Sequence, residues 1–145
     1  MDILILIIWN LWSQLGKILI QRDEHTAQPR LYYSKLPACI TDSKTHVLLV
    51  DPMLATGGSA VCAIQVLVVA GVSPTNITLL NVLVCPEGVL KVNQFFPGLF
   101  NFIFSLICVF CLDVKIVTAS MDEGLNERKF ILPGLGDFGD RYYGT

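Results

Sequence analysis

The chain has 145 residues, a length that fits a single domain. Hydrophobic residues make up 53% of it and charged residues only 15%, which is unusually apolar for a soluble domain. The formal net charge of −2 argues against a surface that binds nucleic acid. The five cysteines are odd in number and scattered, which argues against a disulfide framework, and a cytoplasmic location is expected.

The N-terminal segment from Ile3 to Trp12 is almost wholly apolar. It lacks the basic residues and the small-residue cleavage site that a secretory signal carries. A run of ~10 apolar residues is also short for a helix that spans a membrane. The segment is therefore predicted to be either a buried strand or helix, or a stretch that is foreign to the fold.

Two short β-strands are predicted before the central part of the chain. Lys17 to Gln21 forms the first candidate, and Arg22 follows it at the strand end, where ligand sites of α/β folds lie. Leu31 to Lys35 forms the second candidate. Because Pro29 and Pro37 flank it, the second strand is expected at an edge or in an arm of the sheet.

The stretch from Val47 to Ser59 predicts a strand, a glycine-rich turn and the start of a helix. Val47 to Val50 is uncharged, as is typical of a central strand buried on both faces. Glycines in the tetrapeptide Thr56 to Ser59 let the backbone approach a ligand, and free N–H groups at a helix start favour a phosphate. Asp51 would repel a phosphate and suits sugar hydroxyls or a bound Mg²⁺. An ordinary strand-to-helix loop is the alternative for the Thr-Gly-Gly turn alone.

The following segments predict alternating helices and strands. Ala60 to Ala70 is expected to form a largely buried helix that ends at Gly71. Ile77 to Val84 is predicted as a strand, Cys85 to Phe96 as a short helix, and Val114 to Ser120 as the next strand. This alternation predicts an α/β fold with a parallel sheet, right-handed crossovers and flanking helices.

The string Val-Asp-Pro-Met-Leu-Ala-Thr-Gly-Gly-Ser, which ends at Ser59, resembles the 5-phosphoribosyl-1-diphosphate (PRPP) motif of uracil phosphoribosyltransferases. Its Asp-Pro, where most type I phosphoribosyltransferases carry two acids, is typical of the uracil branch. The resemblance extends over Gly16 to Pro97 and Asp113 to Thr145. It implies a type I phosphoribosyltransferase-like domain at residues 16–145 that is incomplete at its N-terminus.

The resemblance implies that uracil and PRPP are converted to UMP and diphosphate, a pentosyl transfer of pyrimidine salvage. Arg22 would hold the diphosphate, Asp51 the ribose hydroxyls, and the loop from Ile131 to Phe138 the base, with Asp51 and Arg22 as the catalytic residues. The implied PRPP-binding residues are Arg22, Asp51, Pro52, Met53, Leu54, Ala55, Thr56, Gly57, Gly58, Ser59 and Asp137. The implied uracil-binding residues are Ile131, Gly136, Asp137 and Phe138.

Several partners follow from the same resemblance. Mg²⁺ is expected to arrive with PRPP, without a direct metal ligand from the chain. Some members of the family respond to GTP, although no residue here identifies a GTP site. The apolar composition favours a homo-oligomer, and neither a nucleic acid nor a membrane is expected as a partner.

The segment from Gly98 to Leu112 carries no charge and is rich in aromatic and branched residues. The uracil family usually runs from Pro97 almost directly into the strand at Asp113, so this segment resembles an insertion. It is interpreted as an extra hydrophobic helix, as a membrane segment, or as a translated intron. A length of ~15 residues is short of the ~20 that a spanning helix needs. The intron hypothesis is favoured, because the codons of these residues are rich in pyrimidines.

The N-terminal side departs from the family pattern. Family members carry a first core strand and an arginine–glycine loop before the Gly16 to Gln21 strand, and nothing in Met1 to Leu15 matches these features. An exposed apolar sheet edge, a site that lacks one wall, and weak or absent transferase activity are therefore expected. One alternative is a working transferase in which a second subunit supplies the missing wall. The others are a non-catalytic nucleotide-binding fragment or subunit of the same family and a small membrane-associated protein.

Overall fold

A computed structural model of the chain describes residues 2–9, 14–23, 26, 28–97, 101–103, 108–110, 114–136 and 138–144. These residues form one large sheet, a two-stranded sheet and three helices, with short 3₁₀ turns at Ala38–Thr41 and Pro74–Asn76. The strands are β1 (Asp2–Trp9), β2 (Gln14–Arg22), β3 (Pro29–Lys35), β4 (His46–Val50), β5 (Met53–Leu54), β6 (Ile77–Val84), β7 (Asn101–Ile103), β8 (Cys108–Phe110), β9 (Val114–Met121), β10 (Gly124–Leu125) and β11 (Ile131–Leu132). The helices are α1 (Gly58–Val69), α2 (Pro86–Phe95) and α3 (Phe138–Tyr143).

The large sheet has the order β3-β2-β1-β4-β6-β9-β8-β7, and β5 pairs with β6 beyond the end of β4. The centre of the sheet is parallel. Strands β4 and β5 each pair parallel with β6, and β6 pairs parallel with β9. Helix α1 connects β5 to β6, and α2 precedes β9. The predicted α/β fold with a parallel sheet is confirmed, and the antiparallel strands on both flanks make the whole sheet mixed.

The predicted central strand is β4, which lies between β1 and β6. Val47 and Leu49 are fully buried, while Leu48 and Val50 are half-buried on the other face. The edge strand predicted from its prolines is β3, which pairs only with β2 in the described part of the chain. Both placements agree with the sequence pattern.

The sequence predicted an exposed apolar edge of the sheet, and at β4 this prediction is wrong. Strand β1 pairs antiparallel with β4, from Ile5 opposite Val50 to Trp9 opposite His46. Its other side pairs with β2. A run rich in isoleucine is a good strand former, and its pairing satisfies backbone groups that an open edge leaves exposed.

The apolar segment at 98–112 adds a hairpin to the far edge of the sheet. Strands β7 and β8 are antiparallel, and β8 pairs with β9. The helix interpretation is wrong for these six residues, because aromatic and β-branched side chains favour strands and a short apolar run does not distinguish the two. The rest of the segment lies outside the described residues, and the intron hypothesis stays a prediction. Within the described part of the chain, every helix is too short or too polar to cross a membrane.

Helix α1 ends as the sequence predicts. Gly71 has a φ of 98°, its N–H donates to the carbonyl of Val68 (2.9 Å), and the N–H of Val72 donates to the carbonyl of Leu67 (3.0 Å). This pair of hydrogen bonds is the Schellman arrangement, which requires a left-handed residue after the helix. The helix is largely buried, as predicted, although Val69 is 88% exposed.

Candidate active site

Asp51 lies at the carboxyl end of β4, and hydrogen bonds fix its backbone and side chain. Its N–H donates to the carbonyl of Leu80 (3.0 Å), and its own carbonyl accepts a hydrogen bond from Nδ2 of Asn81 (2.6 Å). Its carboxylate Oδ1 accepts the N–H of Met53 (3.3 Å). The acid therefore sits where the sequence predicts, held by the neighbouring strand β6 and by the turn that follows.

The residues that follow Asp51 also form hydrogen bonds with β6. The carbonyl of Pro52 accepts the N–H groups of Val82 and Leu83, both at 3.1 Å. Met53 and Leu54 then form β5, a two-residue strand within the stretch expected to bind PRPP. The sequence did not predict this strand, because two residues are too few for a periodic pattern.

The turn from Thr56 to Ser59 leads directly into α1. Gly57 is the N-cap residue, with a left-handed φ of 75°, and Gly58 and Ser59 are the first two helical residues. The first turn contains no acidic residue. Because the start of a helix presents backbone N–H groups and a partial positive charge, this end of α1 is suited to a phosphate. The predicted start at Ala60 was two residues too late.

Two glycines allow α2 to pack closely against this turn. A Cβ at Gly57 would lie 2.7 Å from the carbonyl oxygen of Gly88 and 2.9 Å from Cβ of Lys91. A Cβ at Gly88 would lie 2.5 Å from the carbonyl oxygen of Ala55 and 2.7 Å from that of Leu54. The backbone contacts between α2 and the turn leave no room for a side chain at either position.

The loop expected to bind uracil lies next to the stretch expected to bind PRPP. Ile131 is 4% exposed and pairs with Leu125 in the hairpin of β10 and β11. It belongs to a small apolar cluster that residues from both stretches share. The members of that cluster are Leu83, Cys85 and Ile131, with Met53, Ala55, Leu125 and Leu135 packed against them.

The loop that follows Ile131 contains two glycines in the left-handed conformation. Gly134 and Gly136 have left-handed φ angles of 64° and 74°. The N–H of Gly134 donates to Oδ2 of Asp122 (2.7 Å), which ties the loop to the end of β9. Phe138 is half-buried and begins α3, whereas Asp137 lies outside the described residues.

Arg22 is the last residue of β2, and its side chain lies outside the described part of the structure. Its backbone pairs with Pro29 of β3. Pro29 in turn lies against Gly58, because a Cβ at Gly58 would be 3.3 Å from Cγ of Pro29. Since paired strands lie ~4.8 Å apart, the backbone of Arg22 is close to the start of α1.

The family model for uracil phosphoribosyltransferase matches residues 8–145 of the chain. The chain belongs to the uracil phosphoribosyltransferase family. It is 50% identical over 130 residues to uracil phosphoribosyltransferase from Saccharomyces cerevisiae, covering 90% of this chain and 52% of that relative. It is also 50% identical over 132 residues to uracil phosphoribosyltransferase 1 from Schizosaccharomyces pombe, covering 91% and 52%.

A solved structure supports the same fold. The AQ2163 protein from Aquifex aeolicus superposes with a TM-score of 0.66 at 30% sequence identity, covering 90% of this chain and 53% of that one. The chain spans about half the length of these relatives. These matches confirm the family and the fold that the sequence motifs indicated.

Two residues at the start of α2 connect the stretch expected to bind PRPP with the hairpin of β10 and β11. The sequence did not predict these connections. The thiol of Cys85 donates to the carbonyl of Ala55 (3.0 Å), and burial raises the pKa of this thiol, which keeps it protonated. Oε1 of Glu87 accepts the N–H of Leu125 (3.2 Å). The bond from its own backbone N–H is the largest cause that lowers the pKa of Glu87. The sequence did contain a signal for Glu87, because an acid directly after a proline is typical of the first turn of a helix.

A cavity of about 400 Å³ opens between α2 and the β10–β11 hairpin, beside the glycine-rich turn. Its lining residues are Thr56, Glu87, Leu90, Lys91, Gln94, Leu125 and Lys129. Among the described residues, no three His, Cys, Asp or Glu side chains are grouped so that they could hold a metal ion.

Proposed function

We propose that the protein transfers the phosphoribosyl group of PRPP to uracil and so produces UMP and diphosphate. The observation that carries this proposal is the apolar cluster in which Met53 and Ala55 meet Ile131 and Leu135. The cluster brings the glycine-rich turn and the base loop to the same edge of the sheet. In α/β folds, ligands bind at the carboxyl ends of the strands, which supports one shared pocket there.

The sugar-phosphate half of PRPP binds the start of α1. The first-turn N–H groups and the Thr56 hydroxyl donate to the 5′-phosphate, and no acid in that turn opposes its charge. The carboxylate of Asp51 accepts hydrogen bonds from the ribose hydroxyls. Arg22 carries a guanidinium that forks onto phosphate oxygens, so it suits the diphosphate.

The base binds the loop that follows Ile131. Uracil presents alternating amide-like donors and acceptors along one edge, and the exposed backbone at Gly136 offers matching groups without a side chain. Cytosine has an amino group where uracil has a carbonyl. It would therefore leave donors facing donors, which discriminates strongly between the bases.

The reaction exchanges one bond at the anomeric carbon of the ribose. The bond from this carbon to the diphosphate oxygen breaks, and the diphosphate leaves with the bonding electrons. The bond from this carbon to the uracil nitrogen forms, and that nitrogen releases its proton to water. Positive charge develops on the ribose near Asp51, and the negative charge of the diphosphate is met by Arg22. Catalysis then depends on positioning and electrostatics, and no covalent nucleophile is needed.

Mg²⁺ is part of this proposal as an ion that arrives on PRPP. We expect oxygens of the substrate to supply most of the ligands of this ion, since Mg²⁺ is commonly bound through substrate phosphates. When bound, the ion neutralises charge on the diphosphate and makes it a better leaving group. A homo-oligomeric assembly, a response to GTP and a cytoplasmic location stay predictions.

The proposal is tested by incubating the purified chain with PRPP, Mg²⁺ and either uracil or cytosine, and by measuring nucleotide formation by chromatography. UMP is expected from uracil, at the weak rate that the departures from the family pattern predict, and no nucleotide is expected from cytosine. Thr56→Val is expected to raise the KM for PRPP about 10-fold, because it removes a hydrogen bond to a charged group. Thr75→Val is the matched control, since Thr75 lies in an exposed turn and bonds Ser73.

Two outcomes would contradict the proposal in different ways. PRPP binding in calorimetry without UMP formation would support a non-catalytic nucleotide-binding subunit. The absence of both binding and turnover would overturn the substrate assignment itself.

A further inference from the structure

Asn81 breaks the pattern of the strand that carries it. It lies on β6, on the same buried face as Ile77, Leu79 and Leu83, and is itself 4% exposed. Among the residues that the structure describes, its Oδ1 is the one buried side-chain nitrogen or oxygen atom without a hydrogen-bond partner. Buried polar atoms are rarely left unsatisfied, so this residue calls for a physical reason.

The orientation of the Asn81 side-chain amide follows from the one hydrogen bond that it makes. Its nitrogen lies 2.6 Å from the main-chain carbonyl oxygen of Asp51. A carbonyl oxygen only accepts hydrogen bonds, so the NH₂ group of Asn81 must face it and the oxygen must point away. Asn81 therefore places a donor on Asp51 and leaves its own acceptor unsatisfied.

The contact lies at an interruption of the sheet. The register between the two chain segments is the same before and after it, with Val50 opposite Leu80 and Met53 opposite Leu83. Asp51 and Pro52 stand between these pairs. The N–H of Val82, which would donate to the carbonyl of Asp51 in an unbroken parallel ladder, donates to the carbonyl of Pro52 instead. A side-chain amide, in place of a ladder bond, therefore fixes the carbonyl of Asp51.

We propose that Asn81 is a positioning residue for the transfer reaction. It holds the backbone of Asp51 and thereby aligns the Asp51 carboxylate with the ribose of PRPP. This inference rests on the proposed function, because it needs Asp51 to contact the ribose. An apolar residue would suit the buried face of β6 better, and positions that break a local pattern are expected at functional sites.

The test uses two substitutions that remove the donor. Asn81→Leu keeps the size of the side chain and matches the apolar face, whereas Asn81→Ala is smaller and serves if Asn81→Leu does not fold. Leu79→Val is the matched control, because it disturbs the same face of β6 two residues away without touching Asp51. For each chain, calorimetry gives the Kd for PRPP, steady-state kinetics gives kcat and both KM values, and thermal unfolding gives Tm.

Both Asn81 variants are expected to lose about 10- to 100-fold in kcat/KM for PRPP, as a displacement of reacting groups by ~1 Å does. The KM for uracil should stay unchanged, because the hydrogen bond of Asn81 goes to Asp51 and not to the base loop. Leu79→Val should lower Tm and leave the kinetic constants as they are.

The inference is overturned if the Asn81 variants lower Tm but keep the kcat/KM of the unsubstituted chain. It is also overturned if kcat/KM for PRPP and the KM for uracil change to the same extent, since that pattern indicates a general loss of structure. An unsubstituted chain that neither binds PRPP nor forms UMP overturns the proposed function, and this inference with it.

Discussion

Replacing Gly57 with alanine tests the close packing around the turn that we propose binds the phosphate. Gly57 is the N-cap of α1 and has a left-handed φ of 75°, which disfavours a side chain by about 1–2 kcal/mol. The new Cβ would also lie 2.7 Å from the carbonyl oxygen of Gly88 and 2.9 Å from Cβ of Lys91. Relieving such an overpacked contact costs typically about 1–3 kcal/mol.

The backbone cost and the packing cost together predict a loss of about 2–5 kcal/mol in the free energy of unfolding. In a domain of this size, each kcal/mol shifts Tm by about 2–4 °C, so Gly57→Ala should lower Tm by roughly 4–20 °C. The affinity for PRPP should fall as well, because α2 or the turn must move to admit the methyl group.

Gly71→Ala is the matched control for this experiment. Gly71 has a φ of 98° at the opposite end of α1, and its new Cβ would meet only Cγ2 of Thr41, at an ordinary distance of 3.5 Å. It should therefore lose only the backbone term of about 1–2 kcal/mol and bind PRPP normally. Urea denaturation and calorimetry measure both effects. Equal losses of stability and of PRPP affinity in the two variants would refute the packing argument.

Two further predictions concern ionisable side chains. Burial, with a smaller effect of Lys115, lowers the pKa of His46 below its ordinary 6.5. The folded state then binds fewer protons than the unfolded state, so the free energy of unfolding should be highest above pH 6.5 and fall as the pH drops toward the lowered value. Urea denaturation should show that loss, and His46→Gln should remove it. Glu87→Ala should raise the KM for uracil about 2- to 10-fold by releasing Leu125, with the Kd for PRPP unchanged. Glu127→Ala, an exposed acid in the same hairpin, should alter neither constant.

The sequence predicted the centre of the fold because local signals there agree with each other. The Val- and Leu-rich run at Ile77–Val84 has the predicted bounds, and Pro86 starts α2 where a proline at the first helical position is favoured. The start of α1 was predicted too late because glycine and serine are poor helix formers. The first turn tolerates Gly58 and Ser59, since the left-handed Gly57 caps it.

Pairing between distant segments could not be read from the sequence. Nothing local indicates that the isoleucine-rich β1 pairs with β4, or that β7 and β8 extend the sheet beside β9. Such contacts depend on the tertiary environment more than on the propensity of the segment. The family motifs predicted the stretches of the candidate site, but the hydrogen bonds that join these stretches appear only in three dimensions. These are the bonds of Asn81, Cys85 and Glu87.

The central claim is that backbone amides at the start of α1 bind the phosphate of PRPP. Titration of the ¹⁵N-labelled chain with PRPP, followed by amide NMR spectra, tests it most directly. We predict the largest shifts at Gly57, Gly58 and Ala60, and a second set around Gly134 and Gly136 when uracil is added. Shifts that spare these amides, or that cluster on another face of the sheet, would contradict the account.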